Sequence, residues 1–397
     1  MEKATQHELQ LARRMSRLGT ETAFEVLNKA RALERQGKSV IHLEIGEPDF
    51  DTPSNVVESG IDALRKGWTH YGPSAGLPEL RQAIAEYVSR TRGVKVTSDE
   101  VVVVPGGKPI IFFTILSLID EGDEVIYPNP GFPIYESMIH YVGGKAVPIQ
   151  LHEDRDFSLD VNSLISLING HTKLIILNSP QNPTGGVLPR RDIERIANAI
   201  GDRNIMVLSD EIYSRLLFDG EQHFSIMSVP GMQERTILLD GFSKTYAMTG
   251  WRMGYGVMRP DLAAHMTRLM TNSNSCTASF TQVAGVEALK GDQGSVDHMR
   301  DEFQRRRDMF VAGLNKIKGF SCRMPKGAFY AFPNITRTGW KSKPLADALL
   351  EQAGVAALSG TSFGEYGEGY LRFSVANSVE NLQKALDRID EWTKKNL

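Results

Sequence analysis

The stretch Val101-Val102-Val103-Val104-Pro105-Gly106-Gly107-Lys108-Pro109 sets an unbroken β-branched run against a glycine turn and a proline. Four consecutive apolar residues, with no polar alternation, predict a strand buried on both faces. Glycines behind such a strand let backbone N–H groups approach an anion, and the N-terminus of a following helix adds favourable partial charge. Pro109 fits the first turn of that helix, where its missing N–H is not needed. The same turn serves equally well as a plain strand-to-helix connection.

Working outward, similar runs recur at Glu124-Val125-Ile126-Tyr127, Leu174-Ile175-Ile176-Leu177, Ile205-Met206-Val207-Leu208 and Thr236-Ile237-Leu238-Leu239. Helical patterns separate them from residue 55 to 290. Strands alternating with helices predict an α/β fold with a largely parallel sheet flanked by helices. Residues 1–40 read as a charged helical arm ending near Gly37. Beyond residue 290 a long helix is predicted over 295–317, strand-like pieces over 328–332 and 369–375, and an amphipathic helix over 379–395. The expected division is an arm over 1–45 joining the small domain, a large domain over 46–290 and a smaller α+β domain over 291–397.

Composition narrows the function classes. Of 397 residues, 41% are hydrophobic, and the formal net charge is −3, which gives no electrostatic reason to invoke nucleic acid or an anionic membrane. Cys276 and Cys322 lie far apart with no CxxC pair, arguing against a disulfide framework and a structural zinc site. No run approaches the ~18 apolar residues of a membrane span, and no apolar signal core follows the N-terminus. A cytoplasmic protein acting on small molecules, with no metal, is the expectation.

Ligands of open α/β sheets sit at the carboxyl ends of strands, and four clusters fall there. The first is the Gly106-Gly107-Lys108 turn. The second, Asn178 to Gly186, is a loop stiffened by prolines, in which Asn182 can donate to a bound oxygen or simply shape the turn. The third is Ser209-Asp210-Glu211-Ile212-Tyr213. There Asp210 either caps a helix or pairs with a cationic ring nitrogen, and Tyr213 can donate to a phenolic oxygen. The fourth runs from Gly241 through Ser243-Lys244 to Arg252 and Tyr255. A lone lysine is normally a solvated surface group; one held in a desolvated site loses its proton and can condense with a carbonyl. Arg252 offers a two-pronged fork to phosphate.

The run Ser243-Lys244 to Arg252, with Met248-Thr249-Gly250-Trp251 inside it, closely resembles the cofactor-lysine signature of class I/II aminotransferases. These are fold type I enzymes that depend on pyridoxal 5′-phosphate. Gly46-Glu47-Pro48-Asp49-Phe50, Gly106-Gly107-Lys108, Asn182-Pro183-Thr184-Gly185 and Ser209 to Tyr213 match in the same order, and the likeness runs from about residue 15 to the end. The subgroup most resembled contains bacterial aspartate aminotransferases.

The resemblance implies a transfer of the amino group of an L-amino acid to a 2-oxo acid by a ping-pong cycle. Lys244 should bond the cofactor covalently and then move the reacting proton. Asp210 should face the pyridine nitrogen, Asn182 and Tyr213 the phenolic oxygen, and Phe132 the ring face. Ser243, Arg252 and the amides around Gly106, Gly107 and Lys108 should hold the phosphate. Tyr71 should reach the phosphate of a neighbouring subunit, making a homodimer with shared sites. Arg372 should clamp the substrate α-carboxylate beside Gly46. Lys108 stands where the subgroup can contact a distal carboxylate, with aspartate one candidate donor and 2-oxoglutarate its partner. Two departures bear on that donor: Phe132 stands where aspartate enzymes often have Trp, and Glu21 puts a carboxylate near the expected pocket mouth. A pyridoxal-phosphate lyase or synthase would share these cofactor residues. A non-catalytic binding module of the same fold would need neither Lys244 nor Asp210.

Overall fold

The computed structural model describes residues 9–397. Its strands are β1 (Ile41–His42), β2 (Val101–Val104), β3 (Glu124–Asn129), β4 (Lys145–Gln150), β5 (Thr172–Asn178), β6 (Met206–Asp210), β7 (Thr236–Gly241) and β8 (Gly254–Val257). The later ones are β9 (Tyr330–Ala331), β10 (Val355–Ala356), β11 (Leu358–Ser359) and β12 (Leu371–Ser374). The main α-helices are α1 (Ala23–Arg35), α2 (Ser54–Arg65), α3 (Pro78–Arg92), α4 (Lys108–Leu118), α5 (Ile134–Val142) and α6 (Val161–Leu167). They continue with α7 (Arg190–Ile200), α8 (Pro260–Ser273), α9 (Ser279–Lys290), α10 (Gly294–Leu314), α11 (Ser342–Ala348) and α12 (Val379–Asn396).

Seven strands form one sheet in the order β2-β8-β7-β6-β5-β3-β4. Only β8 runs antiparallel to its neighbours, β2 and β7. The predicted α/β sheet is therefore present. Its apolar runs are continuous because both faces are covered. Val102 and Val104 pack with Ile110 and Ile115 of α4 and Met266 of α8. Val101 and Val103 pack with Leu80 and Ile84 of α3 and Ala284 of α9. Each such side chain, fully buried, contributes roughly 1.5–3 kcal/mol relative to exposure.

Two strands of this sheet, β4 and β8, lie outside the predicted runs, as do the two-residue strands β1, β10 and β11. Strand β4 is an edge strand, only partly buried and interrupted by Pro148, a residue that sheets tolerate at their edges. Strand β8 reads Gly-Tyr-Gly-Val, and glycines lower strand propensity. Gly254 is required by packing: a Cβ there would lie 2.8 Å from the Gly107 nitrogen.

A second core gathers α10, α12, β9 and β12 around Phe303, Phe310, Phe329 and Phe373. Strand β12 pairs antiparallel with both β11 and β9, and β1 pairs parallel with β10. The continuous helical arm expected over 1–40 is corrected. The described part holds a short 3-10 turn at Arg13–Arg17 and then α1, which begins only at Ala23. Residues 1–8 of that expectation lie outside the described residues. No described helix is long and apolar enough to cross a membrane.

Candidate active site

Strands β2, β3, β5, β6 and β7 run in one direction, so the loops after them open at one edge of the sheet. Strand β8 runs the other way, and its beginning, preceded by Arg252, arrives at that same edge. This topology brings together clusters separated by more than a hundred residues.

Asp210 ends β6 and is buried. Its carboxylate accepts from Tyr135 Oη at 2.6 Å and from the Ile212 N–H at 3.3 Å. Burial pushes its pKa up to about 6, while those hydrogen bonds pull the other way. A cation placed against it would hold it ionised. No helix follows Asp210, so the capping alternative does not apply. Tyr213 lies in the turn beyond, its hydroxyl 2.7 Å from that of Tyr330 on β9.

Lys244 follows β7 and is half-buried, its Nζ donating to the Gly46 carbonyl at 2.5 Å and lying 5.9 Å from the centre of the Phe329 ring. Burial pushes its pKa down to about 8; Arg372 and Arg252 act in the same sense, Glu47 and Glu21 in the opposite one. A lysine so placed is partly neutral near pH 7, as a nucleophile and proton carrier must be. Ser243, beside it in sequence, is buried.

The loop from Lys244 to Arg252 is fastened from outside. Thr52 Oγ1 donates to the Ala247 carbonyl at 2.7 Å and accepts from Trp251 Nε1 at 3.0 Å, and Thr249 Oγ1 donates to Glu47. Ala247 and Arg252 hold φ of 49° and 54°, a conformation costing roughly 1–3 kcal/mol for a residue with a side chain. That bend lays the Arg252 guanidinium on Gly106. A Cβ at Gly106, where φ is 84°, would meet Arg252 Nη2 at 2.4 Å. The glycine turn and the arginine thus form one cradle. Beside it opens a cleft of about 830 Å³ lined by Glu47, Pro105, Thr249, Arg252 and Thr277.

Arg372, on β12, is buried. It donates from Nη1 to Asn182 Oδ1 at 3.2 Å and from Nη2 to the Glu44 carbonyl, and lies 4.4 Å from the Tyr330 ring centre. Its Nε is buried with no hydrogen-bond partner among the described residues, and burial pushes its pKa down. A guanidinium in that state is poised for a carboxylate. Accepting at Oδ1 leaves the side-chain N–H groups of Asn182 as donors.

Lys108 opens α4, and its Nζ is 2.5 Å from Glu21 Oε2 and 5.6 Å from the centre of the Phe132 ring. Phe132 in turn packs edge-on against Tyr135, with ring centres 5.8 Å apart. Gly46 is close under Tyr330: a Cβ there would lie 2.2 Å from the tyrosine hydroxyl. Tyr71 stands apart, 89% exposed, and no hydrogen bond among the described residues joins it to the others.

Sequence reasoning passed over Tyr135 and Tyr330, which bond Asp210 and Tyr213, and Glu44, whose carbonyl holds Arg372. It also passed over a buried ionic cluster behind Asp210. Arg92 donates to Glu211 at 2.9 Å and to Asp240 at 3.2 Å, and His223 meets Glu211 at 2.7 Å. The one available clue was the placement of Glu211 and Asp240 at the ends of apolar strands.

A lysine partly deprotonated by burial, a buried carboxylate and an arginine lying on a glycine turn match one kind of known protein. The family model for class I and II aminotransferases covers residues 38–389. The chain belongs to this family. An aspartate aminotransferase of Pyrococcus horikoshii is 40% identical to it over 369 residues, 92% of this chain and 93% of that one. Aromatic-amino-acid aminotransferase 2 of Thermococcus litoralis is 38% identical over 360 residues, 90% and 92% of the two chains. The structure of Thermus thermophilus aspartate aminotransferase with maleate matches with a TM-score of 0.93 at 37% identity, over 97% of this chain and 100% of that one. This protein is an aminotransferase with the fold type I architecture, and its cofactor is pyridoxal 5′-phosphate.

The residues present fit that cofactor. The Gly106 cradle would be filled by any Cβ, Asp210 is a buried carboxylate with no ion-pair partner among the described residues, and Lys244 is a desolvated amine in the same set of loops.

Proposed function

We propose that the aminotransferase exchanges amino groups between dicarboxylic substrates, with aspartate as donor and 2-oxoglutarate as acceptor. Lys244, Asp210 and Tyr213 carry the chemistry. Bound pyridoxal 5′-phosphate supplies a carbonyl that takes up the amino group and a ring that accepts electrons from the bond being broken. Lys244 would hold the cofactor covalently, and its Nζ, once freed by a substrate amine, would take the proton from the substrate Cα and give it back to complete the transfer. Asp210 keeps the ring nitrogen protonated, and Asn182 and Tyr213 donate to the phenolic oxygen. Phe132 covers the ring. Gly106, Gly107, Lys108, Ser243 and Arg252 hold the phosphate. Arg372, with Gly46, takes the α-carboxylate.

In this reading the chain divides into an arm over 1–45, a large domain over 46–290 and a small domain over 291–397. Arg372 lies in the small domain, so binding the α-carboxylate draws the two domains together and excludes water. The enzyme works in the cytoplasm as a homodimer in which Tyr71 completes the partner's site. Exposure of Tyr71 in the single chain supports that part.

The observation that carries the dicarboxylate reading is a second cation at the site. Glu21, the ion-pair partner of Lys108, also acts electrostatically on Arg372, Lys244 and Tyr330, which supports placing Lys108 within reach of the substrate end opposite Arg372. Half-reaction rates for acidic, neutral, aromatic and basic donors test it. Arg372→Ala lowers kcat/KM at least roughly tenfold for every donor, and Lys108→Ala does so for aspartate and glutamate alone. Equal losses for all donors with Lys108→Ala would confine Lys108 to the phosphate turn.

A further inference from the structure

Lys108 is not a free cation. Its Nζ sits 2.5 Å from Glu21 Oε2, and among the described residues Glu21 is its only hydrogen-bond acceptor. The short segment carrying Glu21 is pinned on both sides. Before it, the Gly19 N–H donates to Ser137 Oγ of α5 at 2.9 Å, and that hydroxyl returns a bond to the Gly19 carbonyl at 3.2 Å. After it, the Thr22 carbonyl accepts from the N–H groups of Glu25 and Val26 in the first turn of α1, and Ala23 is buried. Helix α5 also supplies Tyr135, which bonds Asp210. The backbone at Glu21 is thus held to the frame of the active site, and its side chain is partly open to solvent.

We propose that Glu21 is an internal counter-carboxylate, occupying on Lys108 the bonding position that a substrate's distal carboxylate requires. Substrates with neutral, apolar side chains are taken with the pair intact, against the Phe132 ring. Dicarboxylates enter only by displacing Glu21, which then turns toward solvent; it is already about a quarter exposed. An ammonium has three donors, but a second carboxylate beside Glu21 would meet a like charge where the local charge already sums to zero. This rests on the reading of Lys108 given under Proposed function and assigns Glu21 as the residue that sets the balance between the two substrate classes.

The test uses unreactive probes on the cofactor-loaded enzyme, so that binding is read without turnover. Maleate has two carboxylates and 3-phenylpropanoate has one carboxylate and an apolar tail; dissociation constants come from calorimetry. Glu21→Gln tightens maleate roughly tenfold or more and leaves 3-phenylpropanoate within about twofold. In the Glu21→Gln background, Lys108→Gln loosens maleate again by roughly tenfold. Maleate binding that Glu21→Gln leaves unchanged, or changes equally for both probes, overturns the counter-carboxylate and spares the role of Lys108. Tightening by Glu21→Gln that Lys108→Gln does not reverse overturns the role of Lys108 and with it this inference. Absence of maleate binding in both wild type and Glu21→Gln overturns the dicarboxylate reading itself.

Discussion

The hydroxyls of Tyr213 and Tyr330 lie 2.7 Å apart, joining the turn after β6 to strand β9 across 117 residues of chain. Tyr330 also stands over Gly46, so close that a Cβ there would come within 2.2 Å of its oxygen but 3.2 Å from its Cζ. The clash therefore belongs almost wholly to the hydroxyl. Gly46→Ala is expected to lower kcat/KM by roughly a hundredfold, because a small misplacement at a reacting centre has effects of that size. Adding Tyr330→Phe should restore roughly tenfold of the loss, although Tyr330→Phe alone reduces activity. Steady-state kinetics of the two single variants and the double variant check this. A double variant no better than Gly46→Ala would mean that the Tyr330 hydroxyl is not what excludes a side chain at position 46.

Lys244 gives a pH dependence with a defined sign. Burial depresses its pKa to about 8, and Glu47 opposes that by favouring the ammonium. Only the neutral amine bonds the cofactor carbonyl. Cofactor loading of the apoprotein should therefore quicken roughly tenfold per pH unit below about 8 and level off above it. Glu47→Gln removes an anion and should move the midpoint to lower pH. Borohydride reduction of the loaded enzyme, followed by peptide mapping, should place the adduct on Lys244. An adduct on another lysine ends the assignment.

These side-chain pairings explain what the sequence could disclose and what it could not. The run Val101–Val104 announced a two-faced strand because both faces are covered by helices, and that property is written in consecutive residues. Lys244 and Asp210 were legible because each follows such a strand, where ligands gather. Strand β8 was not, because its glycines are there to let Gly254 pass within contact of Gly107, a tertiary demand. Tyr135 and Tyr330 were not either: each meets its partner across 75 and 117 residues, and no local pattern encodes such a meeting. The ion pair of Lys108 with Glu21 spans 87 residues; the sequence put a carboxylate near the pocket mouth, and only the fold shows which cation it meets.

Asp210 has the opposite electrostatic problem to Lys244. Burial pushes its pKa up to about 6, and the Tyr135 hydroxyl restrains the rise by donating to the ionised form. The carboxylate has to be ionised to hold a protonated ring nitrogen. Asp210→Ala should cost roughly 10²–10³ in the half-reaction rate, as losing a preorganised electrostatic partner does, while leaving the fold intact. Tyr135→Phe removes a bond that lowers the pKa. The acid limb of its kcat/KM profile should therefore move to higher pH than in the wild type. An unmoved limb together with near-normal rates in Asp210→Ala would remove Asp210 from the ring nitrogen.

Tyr71 tests whether a site is built from one chain or two. Its ring is 89% exposed on the connection between α2 and α3, with Trp68 and Leu64 also exposed nearby in the chain. Large exposed apolar side chains close together are the material of subunit contacts. The His70 carbonyl beside it accepts from Ser279 Oγ at 2.8 Å, and the neighbouring residues Thr277, Ala278 and Phe280 line the cleft that contains Arg252. The connection therefore runs along one side of that cleft. If Tyr71 serves the partner's phosphate, Lys244→Ala and Tyr71→Ala homodimers are both impaired, and mixing them has an arithmetic outcome. In a mixed dimer one site combines both defects and the other has neither, so up to half of the mixed dimers' sites recover full activity. The experiment mixes differently tagged chains, isolates the heterodimer by tandem affinity and measures its half-reaction with aspartate. Recovered activity of about half the wild-type value per dimer is expected from this site count. A proven heterodimer with no more activity than the average of its parents would mean that Tyr71 acts within its own chain, and the shared-site homodimer would be abandoned.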